Sequence, residues 1–295
     1  MGLMRFNYRS EIIGMTTDIT ICYPTGMLTV LDRPPVRPVE KGGVQLPAPP
    51  EKFKYVPGMK FQTVWFLHGG GDDDTTAYRF TSLERYAEEN QVLLVTPSVR
   101  DSMYVNTEYG IRYMDYITDE LPKVIRALFP ASEKREDNFI MGFAMGGNGA
   151  LAIGMIHPEL YSGIVDLSGG IGLTLDRDVY REQMTRNSMG RNRLVGCLKG
   201  ADDFENTDHD LRYIAEKDLA EGKDVPPIFI GVGEKDFVQP RVKKDYEHLK
   251  NLGFNVYYEE GKDLGHEWDF WDLYFKKSLS QWLPLKKKPI YPGEE

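Results

Sequence analysis

Apolar residues along this chain fall in short blocks, separated by stretches in which they recur at helical spacing. The first block alternates: in Thr17-Asp18-Ile19-Thr20-Ile21-Cys22-Tyr23, Ile19 and Ile21 share one face until Pro24 ends the run. That period predicts a half-buried antiparallel strand at the start of a sheet. Val64-Trp65-Phe66-Leu67 reads as a short buried strand, and further strands are expected at Val92–Val95, Asn138–Met141, Gly163–Leu167, Ile228–Val232 and Asn255–Tyr258. Helices are expected at Phe80–Asn90, at Tyr113–Phe129 before Pro130, and from the glycine-rich turn after Met141 to about His157. Strand and helix alternating in this way predict an α/β fold, a mostly parallel central sheet flanked by helices.

Two stretches depart from the pattern. Residues 31–60 carry Pro34, Pro35, Pro38, Pro47, Pro49, Pro50 and Pro57, which interrupt any helix or central strand. Too little sequence precedes them for a separate domain, so they read as a long surface excursion within a single domain spanning 1–295. Residues 172–224 are polar and irregular, with short helices, as a cap-like insertion over a site would be.

Composition narrows the partners. The 295 residues are 41% hydrophobic and 27% charged, with ample material for a core. The formal net charge of −9 repels a nucleic-acid backbone, and the only basic run, Lys286-Lys287-Lys288, reads as a solvated tail. Cys22 and Cys197 lie far apart with no CxxC or Cys/His cluster, which argues against a disulfide framework or a zinc site and fits a reducing compartment. The first ten residues lack the apolar core of a signal peptide, and no segment approaches the roughly 20 apolar residues that span a bilayer. The expectation is a cytoplasmic protein with no membrane or nucleic-acid partner. Homo-oligomerisation is left open.

The chemistry gathers around Gly142-Phe143-Ala144-Met145-Gly146-Gly147, between a strand and a helix. Serine hydrolases of this architecture place G-x-S-x-G there, because the nucleophile sits on a strained turn that only small neighbours permit. Strand 228–232 runs into Gly233-Glu234-Lys235-Asp236, and Asp236 lies just past the strand end, where open α/β sheets put their sites. Glu234 is its local competitor for the role of acid. His266, in Gly265-His266-Glu267-Trp268 after the last strand, completes the order nucleophile, acid, base. The other histidines suit it less: His157 ends the elbow helix, His248 is on a charged helix and His209 is in the cap stretch. His68-Gly69-Gly70-Gly71 follows a strand, and its glycines let backbone amides approach an oxyanion. The amides of Gly70 and Met145 are the expected donors. His68, Phe143, Tyr109 and Trp268 are the candidates to bind substrate, with Tyr104 named beside them as pocket or scaffold. Asp72-Asp73-Asp74 reads as a helix start rather than a metal site, since adjacent carboxylates rarely converge on one ion. No metal or cofactor is expected.

These pieces resemble the "Putative esterase" (esterase D-like) family of α/β-hydrolases, nearest its tributyrin-esterase branch. The matching residues are Leu67 to Gly70, Tyr109-Gly110 with Tyr113, Asp119 to Pro122, Gly142 to Gly147, Gly233 to Phe237 and Gly265 to Asp272. The resemblance implies a triad of a serine at position 144, Asp236 and His266, with Gly70 and Met145 as oxyanion donors. It implies hydrolysis of short-chain acyl or acetyl/feruloyl esters, carbohydrate-linked ones among them, through an acyl-enzyme. The chain departs from the family in its longer 31–60 stretch and in Ala144, which has no hydroxyl to acylate. One reading is a serine esterase whose nucleophile has been exchanged for alanine, which would trap a bound ester. A second is a natural pseudoenzyme binding ester or glycan ligands without turnover. A third is another activity of the same triad, such as a peptidase or lactonase.

Overall fold

The computed structural model of the chain describes residues 1–26, 54–107, 110–170, 207 and 210–293. Eight strands form one sheet: β1 (Gly2–Arg9), β2 (Thr16–Tyr23), β3 (Thr63–Leu67), β4 (Leu93–Pro97), β5 (Asn138–Phe143), β6 (Ile164–Leu167), β7 (Ile228–Gly233) and β8 (Val256–Gly261). Their spatial order is β1-β2-β4-β3-β5-β6-β7-β8. β2 pairs antiparallel with β1 and with β4, and every other pairing is parallel. The expected α/β-hydrolase architecture is the observed one.

β3 and β5 are buried along their whole length, and alternate side chains enter two different cores. Trp65, Leu67 and Ile140 face one core. Val64, Phe66, Phe139, Met141 and Phe143 face the other. A strand covered on both faces is apolar at every position, which is why these segments show no alternation. The covering helices are α1 (Thr76–Phe80), α2 (Leu83–Glu89), α3 (Leu121–Leu128), α4 (Met145–Ile156), α5 (Leu211–Glu221), α6 (Gln239–Leu252) and α7 (Trp268–Lys277). α2 and α7 share one core, through Leu83, Tyr86, Phe270 and Phe275. α3, α4, α5 and α6 share the other, through Ile125, Ile153, Ile214 and Leu249.

Three elements differ from the sequence expectation. β1 was not anticipated. It forms an antiparallel ladder on β2 from Gly2↔Tyr23 to Arg9↔Thr16, with mostly exposed or half-buried side chains, so its hydrophobic signal is weak. The helix expected over Phe80–Asn90 is broken: α1 ends at Phe80, Thr81 is extended, and α2 starts at Leu83. The helix expected over Tyr113–Phe129 reaches α3 through a π turn at Tyr116–Glu120. Within the 172–224 stretch, the described part contains one regular helix, α5, buried against the body through Leu211, Ile214 and Ala215. Residues 171–206, 208–209 and most of 31–60 lie outside the described residues.

The strand order matters for function. From β3 the chain moves one way to β4, then crosses back over β3 to β5. That reversal falls between β3 and β5, and the carboxyl ends of strands at such a switch point are where ligands of open α/β sheets bind.

Candidate active site

Strand register brings the loops level. Leu67 pairs with Gly142 and Gly142 with Asp166, so β3, β5 and β6 end abreast. Gly233 pairs with Gly261, so the loops after β7 and β8 also begin side by side. The sequence-selected residues sit just beyond these ends.

Ala144 has φ 49° and ψ −120° at the start of α4. A non-glycine residue there carries strain of about 1–3 kcal/mol, which persists only where the surroundings impose it. They do so here. The Ala144 amide donates to Leu167 O at 2.8 Å, and Ala144 O accepts from the amides of Gly147 and Asn148. A Cβ on Gly142 would lie 2.1 Å from Gly146 O, and one on Gly146 would lie 2.1 Å from Leu67 O. Glycine at both positions is therefore what lets β5, the turn and the β3 loop close on one another.

Asp236 and His266 meet as expected. His266 Nδ1 donates to Asp236 Oδ2 at 2.9 Å and lies 3.1 Å from Oδ1. The Asp236 side chain is fully buried and that of His266 is 17% exposed. Burial pushes the Asp236 pKa up, but the His266 bond, the Val238 amide, the imidazole charge and the nearby Ser168 hydroxyl together bring it below its ordinary value. The carboxylate therefore stays ionised and fixes the proton on Nδ1, leaving Nε2 as the basic nitrogen. Glu234 is occupied otherwise, accepting from the Asp263 amide at 2.9 Å. The loop carrying His266 folds back on β7: Lys235 N donates to Leu264 O at 2.8 Å, and Gly233 leaves no room for a side chain against Leu264 O. His157 pairs with Glu159 at the surface, His248 is on α6, and His209 lies outside the described residues.

Among the described residues, neither the Gly70 nor the Met145 amide has a hydrogen-bond acceptor. Met145 is the first residue of α4, where amides point outward without intrahelical partners. Gly146 packs against the carbonyls of Leu67 and His68, which sets the root of the His68–Gly71 loop beside the elbow.

Two of the residues expected to bind substrate are buried. His68 is completely buried, with Nδ1 2.8 Å from Gly69 O and Nε2 accepting from Val99 N at 3.1 Å. Burial lowers its pKa, so the ring stays neutral. It ties the His68–Gly71 loop to Val99. Phe143 is 1% exposed, packed among Phe66, Trp268, Trp271 and Phe275. Its ring belongs to the core because odd and even positions of β5 both face packed layers. Trp268 is half-buried and stacks on the exposed Phe80 at 4.9 Å. Tyr109 lies outside the described residues.

Other residues at the site were given no role by the sequence or only an open one. Trp271 meets the His266 ring edge-on at 4.9 Å, and the exposed Phe237 packs on it at 4.8 Å. Asp101 accepts from the Gly71 amide at 2.6 Å, and Tyr104 Oη donates to His68 O at 2.8 Å. Tyr104 is the aromatic residue that the sequence offered as pocket or scaffold, and it acts here as scaffold. Two of the three aspartates hold structure together: Asp73 accepts from Thr75 and Thr76 at the start of α1, and Asp74 binds Arg5 and Thr20. Among the described residues, no group of three or more His, Cys, Asp or Glu is placed to hold a metal ion, and no helix is long and apolar enough to cross a membrane.

A mostly parallel sheet, a strained strand–turn–helix elbow and an Asp–His pair at the strand ends define an α/β-hydrolase site. The chain belongs to the "Putative esterase" family, which matches residues 41–281, and is by that membership a carboxylic ester hydrolase. An acetyl esterase of Caldicellulosiruptor saccharolyticus is 28% identical over 291 residues, which cover 96% of this chain and 98% of that one. The substrate-bound fluorophosphonate-binding serine hydrolase F of Staphylococcus aureus superposes with TM-score 0.75 at 26% identity, covering 96% of this chain and 98% of that one. An S-formylglutathione hydrolase of Staphylococcus aureus gives TM-score 0.74 at 26% identity, with the same two coverages.

Proposed function

We propose that the chain is a serine-type carboxylesterase for short-chain acyl esters, acetyl esters foremost, whose turnover is switched off at Ala144. The observation that carries this reading is the strained backbone of Ala144, at the end of β5, in a fold that also keeps an Asp236–His266 pair beyond β7 and β8 and, among the described residues, two amides without acceptors. A methyl group gains nothing from φ 49°, whereas a hydroxyl there becomes an exposed nucleophile. The similarity to an acetyl esterase supports the choice of acyl group.

With serine at 144, the hydroxyl oxygen attacks the ester carbonyl while His266 Nε2 takes its proton. The Gly70 and Met145 amides receive the developing oxyanion, and Asp236 stabilises the imidazolium. Collapse of the tetrahedral intermediate expels the alkoxide, which takes the proton from His266. Water then attacks the acyl-serine with His266 again as base, releasing the acid and restoring the hydroxyl.

The deciding experiment is Ala144→Ser assayed on nitrophenyl acetate. The variant is expected to turn over, with an initial burst, where the parent shows at most a small residual rate. A folded variant without hydrolysis would rule the reading out. In its present form the site is expected to bind esters without cleaving them, which ester-binding calorimetry on the Ala144 chain measures directly. An alanine codon at 144 in the native gene would make that binding the natural role.

A further inference from the structure

The loop after β4 is strained. Arg100, Met103 and Tyr104 adopt φ of 54°, 54° and 60°, three left-handed residues without a glycine among them. For a side chain as large as tyrosine this conformation is unfavourable and survives only under tertiary constraint. Tyr104 is constrained from two sides. Its side chain lies so close to α4 that a Cβ on Gly149 would come within 2.5 Å of Cδ2. Its hydroxyl donates to His68 O at 2.8 Å, at the root of the oxyanion loop. Burial keeps the phenol protonated, so the hydroxyl remains a donor across the working pH range.

One side chain thus touches both structures that carry an oxyanion donor, α4 with the Met145 amide and the His68–Gly71 loop with the Gly70 amide. His68 cannot perform this task, because its imidazole ties the loop to Val99 rather than to α4. We propose that Tyr104 is a positioning residue for the oxyanion hole, setting the separation of the Gly70 and Met145 amides through its packing on Gly149 and its bond to His68 O. The inference rests on the esterase reading above for its catalytic consequence. A donor pair stabilises a transition state only when both amides already point at the oxygen that will carry the charge. A displacement of about 1 Å is enough to cost on the order of a hundredfold in rate.

The experiment uses Tyr104→Phe and Gly149→Ala, each made in the Ala144→Ser protein and in the Ala144 chain. Tyr104→Phe removes only the hydroxyl, and Gly149→Ala pushes the ring away without altering it. In the serine protein, both are expected to lower kcat on nitrophenyl acetate by about ten- to a hundredfold with KM changed less than about twofold. In the Ala144 chain, which needs no turnover, Tyr104→Phe is expected to speed amide exchange in residues 68–71 by about tenfold, with α4 unchanged. A purely structural role would lower the melting temperature and leave kcat of the folded enzyme intact, and that result overturns the proposal. Unchanged exchange at residues 68–71 overturns it as well. If the serine protein hydrolyses no ester, the esterase reading fails on its own, and the exchange measurement still decides whether Tyr104 holds the loop.

Discussion

His266 Nδ1 stands 2.9 Å from Asp236 Oδ2, across 30 residues of sequence. Two features produce that contact. Gly233 and Gly261 are register partners at the ends of β7 and β8, and the loop after β8 is pulled back over β7 by the Lys235 amide. The carboxylate is buried and accepts from Val238 N as well, so it cannot rotate away from the imidazole. The imidazole is therefore held in one orientation.

The division of labour between the two acidic residues of that loop is testable. In the Ala144→Ser protein, Asp236→Asn is expected to lower kcat by about 10³–10⁴-fold, because an amide disfavours the tautomer with the proton on Nδ1. Glu234→Gln is expected to leave kcat within about threefold, since Glu234 serves the Asp263 amide and not the base. Steady-state kinetics on one ester compare the two directly.

Closure of the elbow has a steric signature. Gly146→Ala would place a methyl 2.1 Å from a backbone oxygen of β3 that has no freedom to move. The loss is expected to exceed about 3 kcal/mol, a fall of roughly 6 °C or more in Tm for a domain this large. Thermal unfolding followed by circular dichroism gives the answer, and an unchanged Tm would mean that the elbow is looser than it looks.

A third prediction concerns Asp166, buried beside the elbow, whose Oδ1 has no hydrogen-bond partner among the described residues. Burial raises its pKa to about 7, with the Gly169 amide pulling the other way. Between pH about 4 and 7 the unfolded chain has lost this proton while the folded chain still holds it, so the group's contribution to stability falls as pH rises. Asp166→Asn cannot ionise and removes that slope. The variant is expected to gain on the parent by on the order of 1–3 kcal/mol between pH 4 and 7.5, read from urea unfolding at both values. Parallel stability curves for the two proteins would show that Asp166 does not titrate in this range.

Much of the site was legible because its signals are local. The run Gly142–Gly147 marks a strand entering a helix through a turn that tolerates no large side chain, and such a turn has few sequence solutions. Asp236, His266 and the His68 loop are each found by position after a strand end, a rule that follows from parallel-sheet topology. Orientation was not legible. His68 and Phe143 lie next to reactive positions in sequence yet point into packed cores. Helix and strand periods show that a residue is buried without showing which neighbour buries it.

The sequence by itself determined the fold class, the placement of Ala144, Asp236 and His266 after strand ends, and the absence of a hydroxyl at position 144. It did so because periodicity, glycine spacing and residue type act within a few positions of each other. Only the tertiary structure decided that His68 braces the loop, that Asp74 ties β1 and β2 to it through Arg5 and Thr20, and that Tyr104 bridges the loop to α4. Those contacts join residues 31 to 69 positions apart. They depend on strand register and on which side chain fills the space that a glycine leaves open, and neither is written in any local pattern.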